Sequence, residues 1–412
     1  MIQTSEGRVL TINGKAIERK VNSLPFTVSG AVFPDNSFPT DVLSRVEFQS
    51  NGANSVTVSW GDGYTSTHQF VSSNGLFRVQ WRFDNVTGGY KVGNYTYQDG
   101  YVGQRVIVFT FQYPEKLTAI DWYWSYMEGY FPNEALAFSS LIAIELQATQ
   151  RLLGMGSELN GNMEVIKTQE AFLTKGNKIP DSYFDNPLKE LNIYGAYNLS
   201  DHISSNLFKI NQLKDTLERL FISGSNLDAL PIEIAELYNL IYLNCVNNEF
   251  TDLPIEIGQL ASLETIIIGT TENLTNTELI SFDNLTKLES LRLSGNYYQL
   301  DISDLAQKWS GLVSLTNIGA FDDFVDTDSR FDEFINQFYT LCTTNGTITG
   351  NAPAPYPDRF RNISWGDSSL SFTGAKVAPT GYVQGSANGT PANEGEKVYV
   401  LQNQYGHTIT HA

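Results

Sequence analysis

The chain has little cysteine, little histidine and little charge. Its 412 residues include 2 Cys and 4 His, and charged residues make up 17% of the sequence, against about 25% in an average soluble domain. Cys245 and Cys342 are far apart and stand in no C-x-x-C frame, which excludes a disulfide framework and a structural zinc site. We therefore expect a surface made largely of neutral polar groups.

Positive charge is scarcer than negative charge. With 26 Lys and Arg against 45 Asp and Glu, the formal net charge is -19, which repels a phosphate backbone and excludes nucleic-acid binding as a main role. No apolar run reaches about 18 residues, so no membrane span is predicted. Residues 1–23 lack the apolar core of a signal peptide, from which we infer a protein that stays where it is made or leaves inside an assembly.

Apolar material, by contrast, is plentiful. Hydrophobic residues make up 41% and aromatic residues 12% of the chain, enough for a sizeable core. The length suggests roughly two or three domains or one long repeat array.

An L-x-x-L-x-L pattern recurs through the middle of the chain. The six clearest segments follow one another at steps of 23 to 29 residues, and three weaker segments precede them. All nine begin at Leu117, Phe138, Met163, Leu188, Leu217, Leu240, Leu263, Leu288 and Leu312. The pattern resembles that of leucine-rich repeats, and this resemblance predicts a solenoid over 116–320.

Each repeat is predicted to contribute one short strand to a parallel sheet. Alternate side chains of that strand point into a leucine core, and the residues between them line an open concave face. Between the last two leucine positions stand Asp121, Ile142, Lys167, Asn192, Phe221, Asn244, Ile267, Arg292 and Thr316. Aromatic and arginine side chains are typical of binding surfaces, and the candidate ligand-binding residues are Tyr123, Tyr194, Phe221, Tyr242, Asn244 and Arg292.

A structural asparagine is also predicted. Asn248 and Asn296 stand where leucine-rich repeats place an asparagine whose amide satisfies the backbone of the neighbouring turn. Ser225 and Thr271 take that place in other repeats, so the polar ladder is interrupted.

Residues 1–115 read as short strands separated by turns, which predicts a β-sandwich. One strand ends in Ser59, Trp60, Gly61, Asp62 and Gly63, where Asp62 can cap a tight turn. This W-G-D-G sequence resembles the signature of PKD-like immunoglobulin sandwiches, which precede leucine-rich repeats in bacterial surface proteins. The Gly/Tyr-rich loop Gly88–Gly103 is too polar for a core.

The region after the repeats divides in two. Apolar residues at helical spacing predict an amphipathic capping helix within 321–350, and 351–412 is predicted to be a β-rich tail. The acidic residues near the helix are weak calcium candidates, because their order does not reproduce an EF-hand loop. They are Asp322, Asp323, Asp326 and Asp328.

No catalytic frame is evident. No histidine stands in a G-x-S-x-G or comparable setting, and Cys245 occupies an inward leucine position, which indicates a buried, inert side chain. We therefore predict a protein that is not an enzyme and needs no cofactor.

The sandwich-plus-solenoid arrangement resembles bacterial adhesins and internalin-like proteins. Because no leader is evident, the leading hypothesis is a phage virion protein that binds other virion proteins or a protein or glycan of the host surface. The C-terminal residues also resemble proteins of Bacteroidetes and their phages. A cell-surface adhesin and a tailspike-type polysaccharide-degrading enzyme are the alternatives, and a homo-oligomer is left open.

Overall fold

The structure is a computed structural model that forms two compact units, Met1–Asn186 and Pro187–Ala412. The described residues are 10–12, 15–17, 23–28, 44–61, 63–83, 105–123, 127–131, 135, 138–147, 152–154, 161–169, 184–195, 211–273, 279–296, 301–315, 317–319, 328–344, 362–365, 373–383, 389–403 and 408–411.

The first unit is built from strands, with a short 3₁₀ turn at Pro114–Lys116. Its strands are β1 (Leu10–Ile12), β2 (Lys15–Ile17), β3 (Ser23–Val28), β4 (Ser44–Ser50), β5 (Ser55–Ser59), β6 (Thr65–Gln69), β7 (Val71–Ser73), β8 (Leu76–Phe83), β9 (Arg105–Phe111), β10 (Leu117–Tyr123), β11 (Met127–Tyr130), β12 (Ala143–Gln147), β13 (Leu152–Gly154) and β14 (Val165–Gln169).

Two of its sheets meet through aromatic side chains. One runs in the order β13-β11-β3-β9-β5-β6 and the other in the order β14-β12-β10-β4-β8-β7. The Phe48 ring of β4 lies 4.9 Å from that of Phe109 and 5.0 Å from that of Phe111, both on β9, measured between ring centroids. These rings are buried because alternate residues of each strand point toward the other sheet.

Strand β10 joins the antiparallel strands to the repeats. It pairs antiparallel with β4 on one side and parallel with β12 on the other. The first repeat strand therefore completes a sheet with the N-terminal strands of its unit.

The second unit carries parallel strands and four helices among its described residues. The strands are β15 (Glu190–Asn192), β16 (Arg219–Phe221), β17 (Tyr242–Asn248), β18 (Thr265–Asn273), β19 (Ser290–Asn296), β20 (Asn317–Gly319), β21 (Asn362–Trp365) and β22 (Thr408–His411). The helices are α1 (Asn211–Thr216), α2 (Leu305–Lys308), α3 (Asp328–Thr344) and α4 (Glu394–Asn403), with 3₁₀ turns at Ile232–Glu236 and Ile255–Gln259.

The predicted β-rich solenoid with little helix is confirmed. Strands β15 to β22 pair in parallel, each with the next along the chain. The inward side chains of Leu220, Leu243 and Ile266 are fully buried, since no single repeat can cover its own apolar residues.

The register corrects two predicted repeat starts by three residues. Ile120 pairs with Ile144, so the partner of Leu117 is Leu141 and not Phe138. Leu291 pairs with Ile318, so the first position of that repeat is Leu315 and not Leu312. In both repeats the mistaken residue is a buried side chain of the preceding turn. The turn and the strand together contain two successive pairs of apolar residues at a spacing of three.

The predicted β-rich tail is partly wrong. Residues 394–403, within the region predicted to be β-rich, form α4. The Glu396 N–H donates to Asn393 Oδ1 at 3.0 Å and the Ala392 N–H donates to Glu396 Oε2 at 2.8 Å. This exchange resembles a capping box and starts a helix.

The helix predicted within 321–350 is present as α3, but it does not end the solenoid. Parallel strands β21 and β22 follow it in the same sheet as β20. Helix α3 packs between α2 and α4, since Gln337 Oε1 accepts a hydrogen bond from the Ala306 N–H at 3.2 Å and Asn336 Oδ1 accepts one from the Lys397 ammonium. The tail therefore extends the solenoid with longer repeats.

Candidate functional site

The outward face of strands β15 to β19 is the candidate site. Every second residue of these short strands points away from the leucine core. Parallel pairing aligns one outward row of Glu190, Arg219, Tyr242, Thr265 and Ser290, and a second row of Asn192, Phe221, Asn244, Ile267 and Arg292.

An aromatic cluster, defined as Arg219, Phe221 and Tyr242, lies on this face. The Phe221 and Tyr242 ring centroids are 4.7 Å apart with the ring planes inclined by 31°. The Arg219 guanidinium carbon lies 5.2 Å from the Tyr242 ring centroid, within the range of a cation–π interaction. Both rings are half-buried, so they present apolar surface to solvent on a sheet whose core lies on its opposite side.

Arg219 was missed in the sequence analysis. It stands one repeat before Tyr242 in the same outward row, and the register pairs the two residues directly. Arg219 and Tyr242 both occupy the third position of their L-x-x-L-x-L segments. This equivalence was the sequence signal that could have identified Arg219.

Asn244 lies beside the aromatic cluster and is held by a neighbouring serine. Its Oδ1 accepts hydrogen bonds from Ser223 Oγ at 2.6 Å and from the Val246 N–H at 3.3 Å. Among the described residues its Nδ2 group has no acceptor, which leaves two N–H donors for a ligand.

The other predicted ligand-binding residues lie apart from the cluster. Tyr194 is half-buried and follows β15, with its ring beside Gly224. Arg292 is exposed and lies two strands from Asn244, with Ile267 between them, a separation of about 10 Å at the usual strand spacing. Tyr123 ends β10 in the other unit, and its side chain lies outside the described residues.

Asn248 supports the loop at the end of β17. Its side chain is fully buried. Its Nδ2 donates to the carbonyl oxygens of Ile222 at 3.0 Å and Cys245 at 2.9 Å, and its Oδ1 accepts from the N–H groups of Ser225 at 3.0 Å and Leu227 at 3.2 Å. One amide thus joins two repeats and satisfies buried backbone groups.

The other predicted structural residues are only partly described. Trp60 is buried and its indole N–H donates to Ser66 Oγ at 3.0 Å. Asp62 and the loop Gly88–Gly103 lie outside the described residues, as does the side chain of Asn296.

A charged row occupies the equivalent outward positions of the first unit. Glu47, Asp121, Glu145 and Lys167 are aligned on β4, β10, β12 and β14. Lys167 Nζ lies 3.2 Å from Glu145 Oε1, and the Arg78 Nε atom lies 3.6 Å from Glu47 Oε1. Glu145 therefore takes the outward place that was predicted for Ile142.

The C-terminal end of the predicted outward row also needs correction. Gly319 is the residue paired with Arg292, where Thr316 was expected. Thr316 itself lies outside the described residues.

Nucleophilic and metal chemistry have little support in the described part of the chain. Burial raises the pKa of the Cys245 thiol, which keeps it protonated and unreactive. No group of three or more His, Cys, Asp or Glu within the described ranges could hold a metal ion. Asp322, Asp323 and Asp326 lie outside those ranges, and Asp328 begins α3 with its side chain undescribed.

His68 forms a hydrogen bond with Ser66 at the edge of its sheet. The His68 Nε2 and Ser66 Oγ atoms are 2.8 Å apart, and partial burial lowers the pKa of His68.

No described helix has the length and apolar character needed to cross a bilayer.

Comparison with solved structures returns leucine-rich-repeat proteins. No protein-family model matches the chain, and no curated protein matches it. A leucine-rich-repeat protein of Leptospira interrogans is 21% identical with a TM-score of 0.33, over 46% of this chain and 51% of that protein. Internalin C2 of Listeria monocytogenes is 16% identical with a TM-score of 0.34, over 50% of this chain and 81% of that protein.

A plant protein shows the same kind of similarity. The leucine-rich-repeat ectodomain of the Arabidopsis thaliana receptor kinase GASSHO1/SCHENGEN3, solved with Casparian strip integrity factor 2, is 18% identical with a TM-score of 0.27, over 47% of this chain and 34% of that protein. The chain spans about half the length of the Leptospira protein. The strands of this chain and their register form a parallel β-solenoid with an apolar core.

Proposed function

We propose that the chain is a non-enzymatic binding protein that recognises a protein partner through the outward face of β15 to β19. The observation that carries this proposal is the aromatic cluster. Phe221 and Tyr242 pack on each other and on Arg219 at the centre of an open sheet face. Aromatic and arginine side chains of this kind dominate the binding energy of many protein interfaces.

The solenoid gives this face the rigidity that binding favours. Buried inward side chains and the Asn248 hydrogen bonds hold neighbouring strands in register. A face that is ordered before binding loses less conformational entropy when a partner docks.

We propose further that the first unit contains a PKD-like sandwich that presents the solenoid. Its two aromatic-packed sheets and the buried Trp60 support this assignment. A cell-surface adhesin is the setting that this combination favours. The virion role remains a prediction without support from the described residues, as does the polysaccharide-degrading alternative.

The cluster can be tested by peptide selection. A displayed library of random peptides is selected on the purified protein, and dissociation constants of the recovered peptides are measured by fluorescence anisotropy. We expect Tyr242→Ala to raise the dissociation constant by about tenfold or more, as loss of an interface hot spot does. The more distant Arg292→Ala is expected to have a smaller effect, with the thermal unfolding midpoint unchanged in both variants.

Tyr238 provides the matched control, because it is an exposed tyrosine, 48% accessible, that lies between the 3₁₀ turn Ile232–Glu236 and β17 and outside the two outward rows. Tyr238→Ala should leave binding unchanged. An equal loss of peptide affinity in Tyr238→Ala and Tyr242→Ala would contradict the proposal. So would unchanged affinity in Tyr242→Ala, and either result would direct attention to the Gly88–Gly103 loop. Mass spectrometry of bacterial surface fractions and of purified phage particles separates the adhesin from the virion setting.

A further inference from the structure

Apart from Arg219 at the start of β16, the stretch that contains β16 to β18 carries carboxylates and no Lys or Arg. Residues 220–286 contain no Lys or Arg. Their ten acidic residues are Asp228, Glu233, Glu236, Glu249, Asp252, Glu256, Glu264, Glu272, Glu278 and Asp283. The sequence between Arg219 and Lys287, which contains most of the aromatic cluster, is therefore strongly acidic.

One group of carboxylates stands where the strands begin. Glu218, Glu264 and Glu289 are exposed and immediately precede β16, β18 and β19. The Glu289 N–H donates to the Glu264 carbonyl at 2.8 Å, which places these two residues on neighbouring strands, about 5 Å apart.

A second group stands beyond the other end of the strands. Asp228 and Glu249 are exposed in the turns after β16 and β17. The Glu249 N–H donates to the Leu227 carbonyl at 2.7 Å, so the two turns lie side by side. The aromatic cluster thus has carboxylates beyond both ends of its strands.

Four of these carboxylates are not paired with a cation in the described part of the chain. Glu218, Asp228, Glu249 and Glu264 form no ion pair with any cation in the described part of the chain. Like charges on neighbouring strands repel each other, so their arrangement does not stabilise the solenoid. The one cation in the cluster, Arg219, is engaged over the Tyr242 ring.

We propose that the partner docked on the aromatic cluster is a polypeptide segment rich in Lys and Arg. This inference rests on the proposed function and names the chemistry of its ligand. An apolar side chain of the segment packs on Phe221 and Tyr242, while flanking cations reach the carboxylates at the strand ends. The two groups are separated by about seven strand residues, or roughly 20 Å, so the segment must extend over at least about six residues.

The charge of selected peptides provides the test. A library of random peptides of about 12 residues is long enough, at about 3.3 Å per residue, to cross the face. Peptides whose binding requires Tyr242 are expected to carry net positive charge. Raising the salt concentration from about 50 to 300 mM should weaken their binding about tenfold, because salt screens exposed charges.

Two double variants distinguish a local site from the overall field of the protein. Glu218→Gln with Glu264→Gln should weaken these peptides by about tenfold at low salt. Glu236→Gln with Glu256→Gln changes the net charge equally, but at the 3₁₀ turns away from the cluster, and should leave binding nearly unchanged.

The outcomes separate this inference from the proposed function. If Tyr242-dependent peptides show no excess of Lys and Arg, or bind the Glu218/Glu264 double variant as well as the wild type, the basic partner is wrong and the binding face stands. Equal weakening by both double variants also overturns the inference. If no selected peptide depends on Tyr242, the proposed function fails and the inference fails with it.

Discussion

The two units use the same strand pattern but differ on their outward faces. In the first unit, Glu145 and Lys167 stand side by side and pair their charges across the sheet. In the second unit, the equivalent rows contain Phe221 and Tyr242, which pack on each other and stay partly exposed to solvent. The inward residues of both units are buried and largely apolar, with Thr168 on β14 as a buried polar exception.

This difference shows which positions of a repeat are free to specialise. An inward residue contributes to the core of its own and the neighbouring repeat, so its size and polarity are constrained. An outward residue touches only its strand neighbours, and the fold accepts a paired charge or an exposed ring there. A half-exposed aromatic pair supported by an arginine is therefore a better indicator of function than a buried leucine.

The largest expected effect is a difference in unfolding free energy between an inward and an outward substitution on the same strand. Ile266 is fully buried, whereas Ile267 is half-buried on the outward face of β18. Ile266→Ala should lower the free energy of unfolding by about 2–5 kcal/mol, through lost burial and a cavity. Ile267→Ala should cost less than about 1 kcal/mol. Urea unfolding followed by circular dichroism measures both, and equal costs would refute the assigned faces.

A smaller effect is expected from the charged row of the first unit. Lys167→Met removes the partner of Glu145, and both side chains are partly exposed, so the loss in unfolding free energy should stay below about 1 kcal/mol. Binding of the Tyr242-dependent peptides should be unchanged, since the aromatic cluster belongs to the other unit. A large loss of peptide binding in this variant would remove the functional distinction between the two faces.

The smallest expected effect is on the pH dependence of stability, through His68 of the first unit. Burial lowers the pKa of His68 in the folded protein, so the unfolded chain binds more protons as the pH falls through about 6.5. The contribution of neutral His68 to stability is then lost toward acid pH. The thermal midpoint of the wild type should fall more between pH 7.5 and pH 5.5 than that of His68→Gln, as calorimetry can measure. An identical pH dependence in the two proteins would show that His68 makes no contribution.

Much of the solenoid could be predicted from the leucine period alone. The segments from Leu188 to Leu288 lie in the predicted register, because a buried parallel sheet demands an apolar residue at each inward position. The errors at Phe138 and Leu312 arose where the turn also supplies a buried apolar residue three positions before the strand. Period alone cannot distinguish these two placements, and backbone pairing does.

The C-terminal region was harder to predict because its repeats are longer. Asn317 pairs with Asn362, and Asn362 pairs with Thr408, so these steps exceed the length of an ordinary leucine-rich repeat. The alternation in Val398, Tyr399 and Val400 suggested a strand. The hydrogen bonds between Asn393 and Glu396 at its start identify a helix, and that signal was already present in the spacing of the two residues.

The sequence by itself determined the alternation of inward and outward residues, and with it the parallel sheet, the leucine core and the outward places of Phe221, Tyr242 and Asn244. Only the tertiary structure decided which of these residues meet. Arg219 and Tyr242 are 23 positions apart, and they become neighbours because two strands pair in one register. Arg292 shares the face, yet the width of one intervening strand keeps it from the cluster. The physical reason is that the alternation of apolar and polar side chains is a property of each segment, whereas contacts across a sheet depend on backbone hydrogen bonds between segments.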